Sequence, residues 1–218
     1  MMNPAYYGGQ TTLITGASSG IGAEFAHQLA ERGSDLILVA RRLDRLESLA
    51  EKLSERFGVR VEAIAVDLSQ PAVGAILAAE VERRGLHATS RINNAGFGTY
   101  GQFPEEDAER VRKEIALDVS ALVDISHAFI GALRTSGTGL LINVASNAAY
   151  QPTPNMAVYG AAKAFVLSFT EALWYESRGT GLRVLALSPG ATSTEFFGVV
   201  GTDRSRWRHT TPDSRASR

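Results

Sequence analysis

Three residues of the 218-residue chain have the types and spacing for proton chemistry at a carbonyl group: Ser146, Tyr159 and Lys163. They lie in the segment SNAAYQPTPNMAVYGAAK. Tyr159 and Lys163 are four residues apart on a helix predicted to start near Asn155, so they share one face. A phenol with a pKa of about 10 is a poor acid or base at neutral pH, and a neighbouring ammonium favours the phenolate and lowers that value. A serine hydroxyl beside them can hydrogen-bond a carbonyl oxygen as charge develops on it. Together these groups suit reduction of a ketone or oxidation of an alcohol, given a hydride carrier. The bland alternative for Tyr-x-x-x-Lys alone is an amphipathic helix with a half-buried tyrosine and a solvated lysine.

These residues need a scaffold that delivers them to one place. The run Leu140-Leu141-Ile142-Asn143-Val144-Ala145 reads as a buried parallel strand, with Ser146 at its carboxyl end. In open α/β sheets that edge is where ligands bind. Upstream, Thr11–Thr15, Leu36–Ala40 and Val61–Val66 read as strands. They alternate with helical patterns at Ala23–Arg32, Arg41–Phe57 and about Pro71–Arg84. This alternation predicts an α/β doubly wound parallel sheet, Rossmann-like, in a single domain. The expected organisation is an N-terminal extension at 1–10, a dinucleotide-binding catalytic domain at 11–197 and a polar, basic, mobile tail at 198–218.

The hydride carrier has its own signal. Gly16-Ala17-Ser18-Ser19-Gly20-Ile21-Gly22 lies between the first strand and its helix. Glycines there let the backbone approach a pyrophosphate, and the helix N-terminus offers free N–H groups and a positive dipole end. The spacing is G-x-x-x-G-x-G rather than G-x-G-x-x-G, and the alternative is a glycine-rich turn without a ligand. An acid at the carboxyl end of the second strand would select NAD(H), and an arginine NADP(H). Asp35 stands at the wrong end, whereas Arg41 and Arg42 follow the strand, which predicts NADP(H). The competing reading is two solvated arginines at a helix start, where cations are slightly unfavourable.

Composition bounds the rest. Apolar residues make up 44% and charged residues 21%, with a net charge of −1, so no global field attracts nucleic acid or an anionic membrane. The chain has no cysteine, which removes disulfides, thiolate catalysis and cysteine-ligated metals. The start, MMNPAYYGGQ, is not a secretory signal, and no apolar run is expected to span a bilayer. The expected location is the cytoplasm. His87, His127 and His209 show no metal-binding arrangement, and Trp174 and Tyr175 are expected on the core or interface side of their helix.

Thr15 to Gly22, then Asn93-Asn94-Ala95-Gly96, then Ser146, Tyr159 and Lys163, then Pro189-Gly190, resemble in order and spacing the short-chain dehydrogenase/reductase family. The resemblance covers about Thr11 to Phe197. It implies that Tyr159 is the general acid in reduction, that Ser146 orients the carbonyl, and that Lys163 also bonds the nicotinamide ribose. It implies that Asp67 contacts adenine and that Asn94, Ala95 and Gly96 line the adenosine side. Pro189, Gly190, Thr192 and Thr194 would hold the nicotinamide. It further implies a small-molecule carbonyl or alcohol substrate and a homodimer or homotetramer packed through helices at about Glu105–Leu133 and Asn155–Arg178.

Three features depart from the family pattern. Asp118 stands where the family has an asparagine that completes a proton relay; it is either a tolerated variant or a charge that holds Lys163 ionised and weakens the relay. Arg91 falls in the fourth strand, His87–Ile92, and is costly there unless it reaches an edge or a carboxylate. After Phe197 apolar periodicity ceases, and the family's seventh strand is expected to be missing. The alternatives to an enzyme are therefore a catalytically silent cofactor-binding protein and a truncated family member.

Overall fold

The computed structural model describes residues 7–192 and 195–200. Among them, six strands form one sheet: β1 (Thr11–Thr15), β2 (Asp35–Ala40), β3 (Val61–Ala65), β4 (Ser90–Asn93), β5 (Leu140–Val144) and β6 (Arg183–Leu187). Their order is β3-β2-β1-β4-β5-β6, and every pairing is parallel. Successive side chains on a strand point to opposite faces. Leu13 accordingly enters one core, with Ile37, Val39 and Leu141, while Ile14 enters the other, with Leu38, Ile92 and Ile142. Helices α1 (Gly20–Glu31) and α2 (Leu43–Phe57) cover the Ile14 face through Ala26, Leu29, Leu46 and Leu53. On the Leu13 face, α3 (Val73–Arg83) contributes Leu77 and Val81. Each fully buried leucine or isoleucine is worth about 1.5–3 kcal/mol.

Strand order reverses between β1 and β4, which opens a crevice at the carboxyl edge of the sheet. The long helix expected at about Glu105–Leu133 is one run from α4 (Ala108–Ile115) to α5 (Leu122–Ser136), widened by a π-helical turn at Ala116–Ala121. Asp107 starts it, its carboxylate accepting from the Glu109 and Arg110 N–H groups at 2.8 and 3.0 Å. By length and composition the run Ala108–Ser136 is apolar enough to cross a membrane, which corrects the sequence expectation of no such run. Here Leu122, Ile125, Phe129 and Leu133 bury its apolar side within the fold.

Other boundaries shift for local reasons. Helix α6 (Ala157–Glu176) begins after Asn155 because Asn155 sits at φ +61°, outside the helical region. Helix α3 begins after Ala72 for the same reason, at φ +56°. Trp174 and Tyr175 are exposed rather than on the core side, and Arg178 lies 5.3 Å over the Tyr175 ring. Gly198 to Val200, expected in the tail, end a short helix, α7 (Phe196–Val200), and Val200 is buried against Ala148, Met156 and Tyr159. The expectations of a missing seventh strand and of a mobile basic tail fall on 201–218, outside the described residues.

Arg91 reaches neither an edge nor a carboxylate. It is 1% exposed in the central β4, with its guanidinium 4.6 Å over the Phe129 ring. Its Nε donates to Asn93 Oδ1 at 2.6 Å and Nη1 to the Ile125 carbonyl at 3.3 Å. Burial pulls its pKa down to about 9, which still leaves it charged at neutral pH. Stacking and two hydrogen bonds thus replace the expected counter-ion.

Candidate active site

Parallel strands end in loops at one edge, so residues far apart in sequence meet there. Gly16, Ser18, Ser19, Gly20 and Ile21 follow β1; Arg41 and Arg42 follow β2; Asp67 follows β3. Asn94, Ala95 and Gly96 follow β4, Ser146 follows β5, and Pro189, Gly190 and Thr192 follow β6. With Tyr159 and Lys163 from α6 they line one cleft of about 520 Å³, a size suited to a small ligand. Thr194 lies outside the described residues. Gly22 supports the loop from behind, and Asp118 stands behind Lys163; neither lines the cleft.

The glycine-rich loop is held against β4. Asn94 Nδ2 donates to the carbonyls of Thr15 and Gly16 at 3.0 and 3.2 Å. Gly16 sits at φ +67°, and a Cβ there would lie 2.8 Å from the Ala95 Cα. A Cβ on Gly22 would lie 2.4 Å from the Gly16 carbonyl oxygen. Neither position tolerates a side chain. At the start of α1 the Ser19 side chain makes no capping bond, so the first helical N–H groups stay available at the cleft wall. Arg42 Nη2 donates to Ser18 and Ser19 Oγ at 3.1 and 3.2 Å, which places a cation against the loop. A glycine cradle, open helix amides and an adjacent arginine fit a phosphorylated dinucleotide. Asp67 is occupied locally: Oδ1 accepts from Ser69 N at 3.0 Å and Ser69 Oγ at 2.7 Å, and these bonds lower its pKa.

At the other end of the cleft, Ser146 Oγ accepts from Ala148 N at 3.1 Å and caps the turn Asn147–Tyr150. It also bonds the Tyr159 side chain. Tyr159 and Lys163 lie one turn apart on α6, both buried, with the Lys163 Nζ 5.5 Å from the Tyr159 ring centre. Lys163 Nζ donates to the Val144 carbonyl at 3.3 Å and lies 3.0 Å from Asp118 Oδ2. The π-helical turn points Asp118 inward, where Oδ1 accepts from Phe97 N at 3.0 Å. Burial is the largest single influence and works against the ammonium, but Asp118, Tyr159 and Glu114 together outweigh it and raise the Lys163 pKa. The expected lowering of the Tyr159 pKa is not found. Burial pushes it up, and the pull from Lys163 and the Ser146 bond does not offset that, partly because Asp118 and Glu114 oppose it.

Glu114, one turn before Asp118, was not singled out by the sequence. It is fully buried in α4 with Thr99 as its polar neighbour, and neither carboxylate oxygen makes a well-aligned hydrogen bond. Burial raises its pKa to about 7, against the opposing pull of Thr99, with Asp118 and Glu106 adding to the rise. The folded state therefore holds this proton more tightly than the unfolded chain. Its contribution to stability is complete below the ordinary pKa of 4.5 and is lost as pH rises through about 7. Glu114→Gln is expected to remove that loss. Thermal melts should show a gain on the order of 1 kcal/mol at pH 8, a few degrees in Tm, and little change at pH 5. A gain larger at pH 5 than at pH 8 would contradict this.

Glu195, at the start of α7, was also missed. It pairs with Arg42 at 3.2 Å and Arg45 at 2.7 Å. Phe196 beside it packs on the Tyr159 ring at a centroid distance of 5.2 Å. Contacts spanning some 150 positions leave no trace in local sequence spacing.

The family model for short chain dehydrogenase matches residues 10–205. Sulfoacetaldehyde reductase 2 of Chromohalobacter salexigens is 37% identical over 208 residues, covering 92% of this chain and 81% of its own. A short-chain dehydrogenase from Sphingobium yanoikuyae, solved in complex with NADPH, superposes with a TM-score of 0.84 at 40% identity, covering 94% of this chain and 78% of its own. L-Sorbose reductase from Gluconobacter frateurii, solved with NADPH and L-sorbose, superposes with a TM-score of 0.81 at 32% identity, covering 92% and 78%.

Proposed function

Because the chain belongs to the short-chain dehydrogenase/reductase family and is an oxidoreductase, we propose that it interconverts a small-molecule carbonyl and a secondary alcohol, using NADP(H). The observation that carries this reading is the cleft itself. It joins a glycine cradle and Arg42 at one end to Ser146, Tyr159 and Lys163 at the other.

A nicotinamide cofactor, when bound, supplies or accepts the hydride. The chain's own residues handle the proton and the charge. In reduction, the Tyr159 hydroxyl gives its proton to the oxygen of the former carbonyl, and the phenolate left behind is stabilised by the Lys163 ammonium. Ser146 Oγ holds the carbonyl oxygen beside Tyr159 and bonds it more strongly as negative charge grows there. Asp118 keeps Lys163 ionised and fixed below Tyr159. In oxidation the same groups act in reverse, with the phenolate taking the alcohol proton. Burial raises the Tyr159 pKa, so at neutral pH the phenol carries the proton that reduction requires. The neighbours that carry NADPH support NADP(H) as the cofactor. Self-association through the long helices α4–α5 and α6 belongs to the same reading, supported by the exposed Phe165 on α6.

Cofactor preference gives a direct test. Changing Arg41 and Arg42 together to alanine should weaken NADPH by roughly 10- to 100-fold, the worth of one or two charged hydrogen bonds, and NADH by far less. Titration of each nucleotide, or its shift of Tm, checks this. An equal loss for both nucleotides would remove the 2′-phosphate from the reading.

A further inference from the structure

The arginines at the start of α2 already hold an anion. Glu195 reaches across the cleft mouth from the segment after β6, with Oε2 3.2–3.3 Å from both terminal nitrogens of Arg42 and Oε1 2.7 Å from Arg45 Nη1. Arg42 Nη2 at the same time donates to Ser18 and Ser19 of the glycine-rich loop. One guanidinium therefore faces both the phosphate cradle and a carboxylate. All three charged side chains are about half exposed, so the ion pairs are weak and exchange readily for a stronger anion. The arginine bonds hold the Glu195 carboxyl below the usual carboxylate range, so it is ionised throughout the neutral range.

We infer that Glu195 is a cofactor-specificity residue: its carboxylate occupies Arg42 and Arg45 as an internal stand-in for the ribose 2′-phosphate, and binding of a 2′-phosphorylated nucleotide displaces it. The inference rests on the NADP(H) reading above. A dianionic phosphate offers more charge and more acceptor oxygens than one carboxylate, so it wins the arginines. A ribose 2′-hydroxyl does not compete for them and leaves the Glu195 pairs in place. Removing the carboxylate therefore helps one nucleotide and is neutral for the other. Glu195 lowers the affinity for NADPH while keeping the arginines oriented toward the loop.

The test is equilibrium titration of wild type and Glu195→Gln with NADPH, NADH, adenosine 2′,5′-bisphosphate and adenosine 5′-monophosphate at low ionic strength. The two adenosine nucleotides lack the nicotinamide and report the phosphate end alone. The expected result is that Glu195→Gln tightens NADPH and the bisphosphate by about fivefold, the scale of an exposed charge pair, and leaves NADH and the monophosphate within about twofold. Added salt should shrink the gain. Unchanged or weaker NADPH binding in the variant would overturn the inference. So would equal tightening of all four nucleotides, because that is the signature of general loosening of the segment. If wild type itself binds NADH as tightly as NADPH, the cofactor reading fails, and the inference with it. That outcome is visible in the wild-type titrations alone.

Discussion

Tyr159→Phe is expected to lower kcat/KM for carbonyl reduction by about 10³-fold or more while leaving the Kd for NADPH within about twofold. General acid catalysis by a positioned side chain is commonly worth 10²–10⁴. Here the hydroxyl lies against Ser146, with Lys163 one turn further along α6. The substitution removes one oxygen and keeps the ring, whose contact with Phe196 and burial near Met156 and Val200 are unchanged. Folding should therefore survive, and an unchanged melt would show that the loss is chemical. Steady-state kinetics beside nucleotide titration separate the two effects. Turnover near the wild-type rate would remove Tyr159 from its role.

Lys163→Met should damage both stability and turnover, for reasons that can be separated. Asp118 is 1% exposed, and its ion pair with Lys163 at 3.0 Å is its charge partner. Removing one member of a buried pair strands the other and costs about 3–5 kcal/mol, which is roughly 10 °C in Tm for a chain of this size. Replacing both, as Asp118→Asn with Lys163→Met, removes the stranded charge and should recover most of that loss. Turnover should not recover, because the phenolate still has no ammonium beside it. Thermal or urea melts of the single and double variants, with activity measured in parallel, decide the matter. A single variant as stable as wild type would mean that the pair contributes nothing.

The scaffold was legible because its signals are local. A five-residue run such as Leu140–Val144, apolar but for Asn143, is long enough for a strand, and a glycine loop between strand and helix has few other uses. The cleft followed from the topology, since β1 to β6 all end at one edge. What escaped the sequence depends on energy balances between distant groups. The direction of the Tyr159 shift turns on whether burial outweighs one ammonium, and Asp118, brought in by a π-helical turn, adds to the rise. Arg91 was read as needing a carboxylate because a ring 38 positions further along the chain, Phe129, could not be foreseen beneath it. The helix starts at Ala157 and Val73 were missed because Asn155 and Ala72 adopt left-handed conformations that residue type alone does not demand. Glu195 meets Arg42 only once β6 is docked at its edge of the sheet.

The most direct test of carbonyl reduction by this chain is transfer of a label. The protein is incubated with NADPH carrying deuterium at both positions of the reactive nicotinamide carbon and a panel of small ketones, and alcohols are sought by mass spectrometry. The expected result is at least one alcohol carrying one deuterium on its carbinol carbon, absent when Tyr159→Phe replaces the wild type. NADPH binding without a labelled alcohol from any member of a broad panel would contradict the proposed activity.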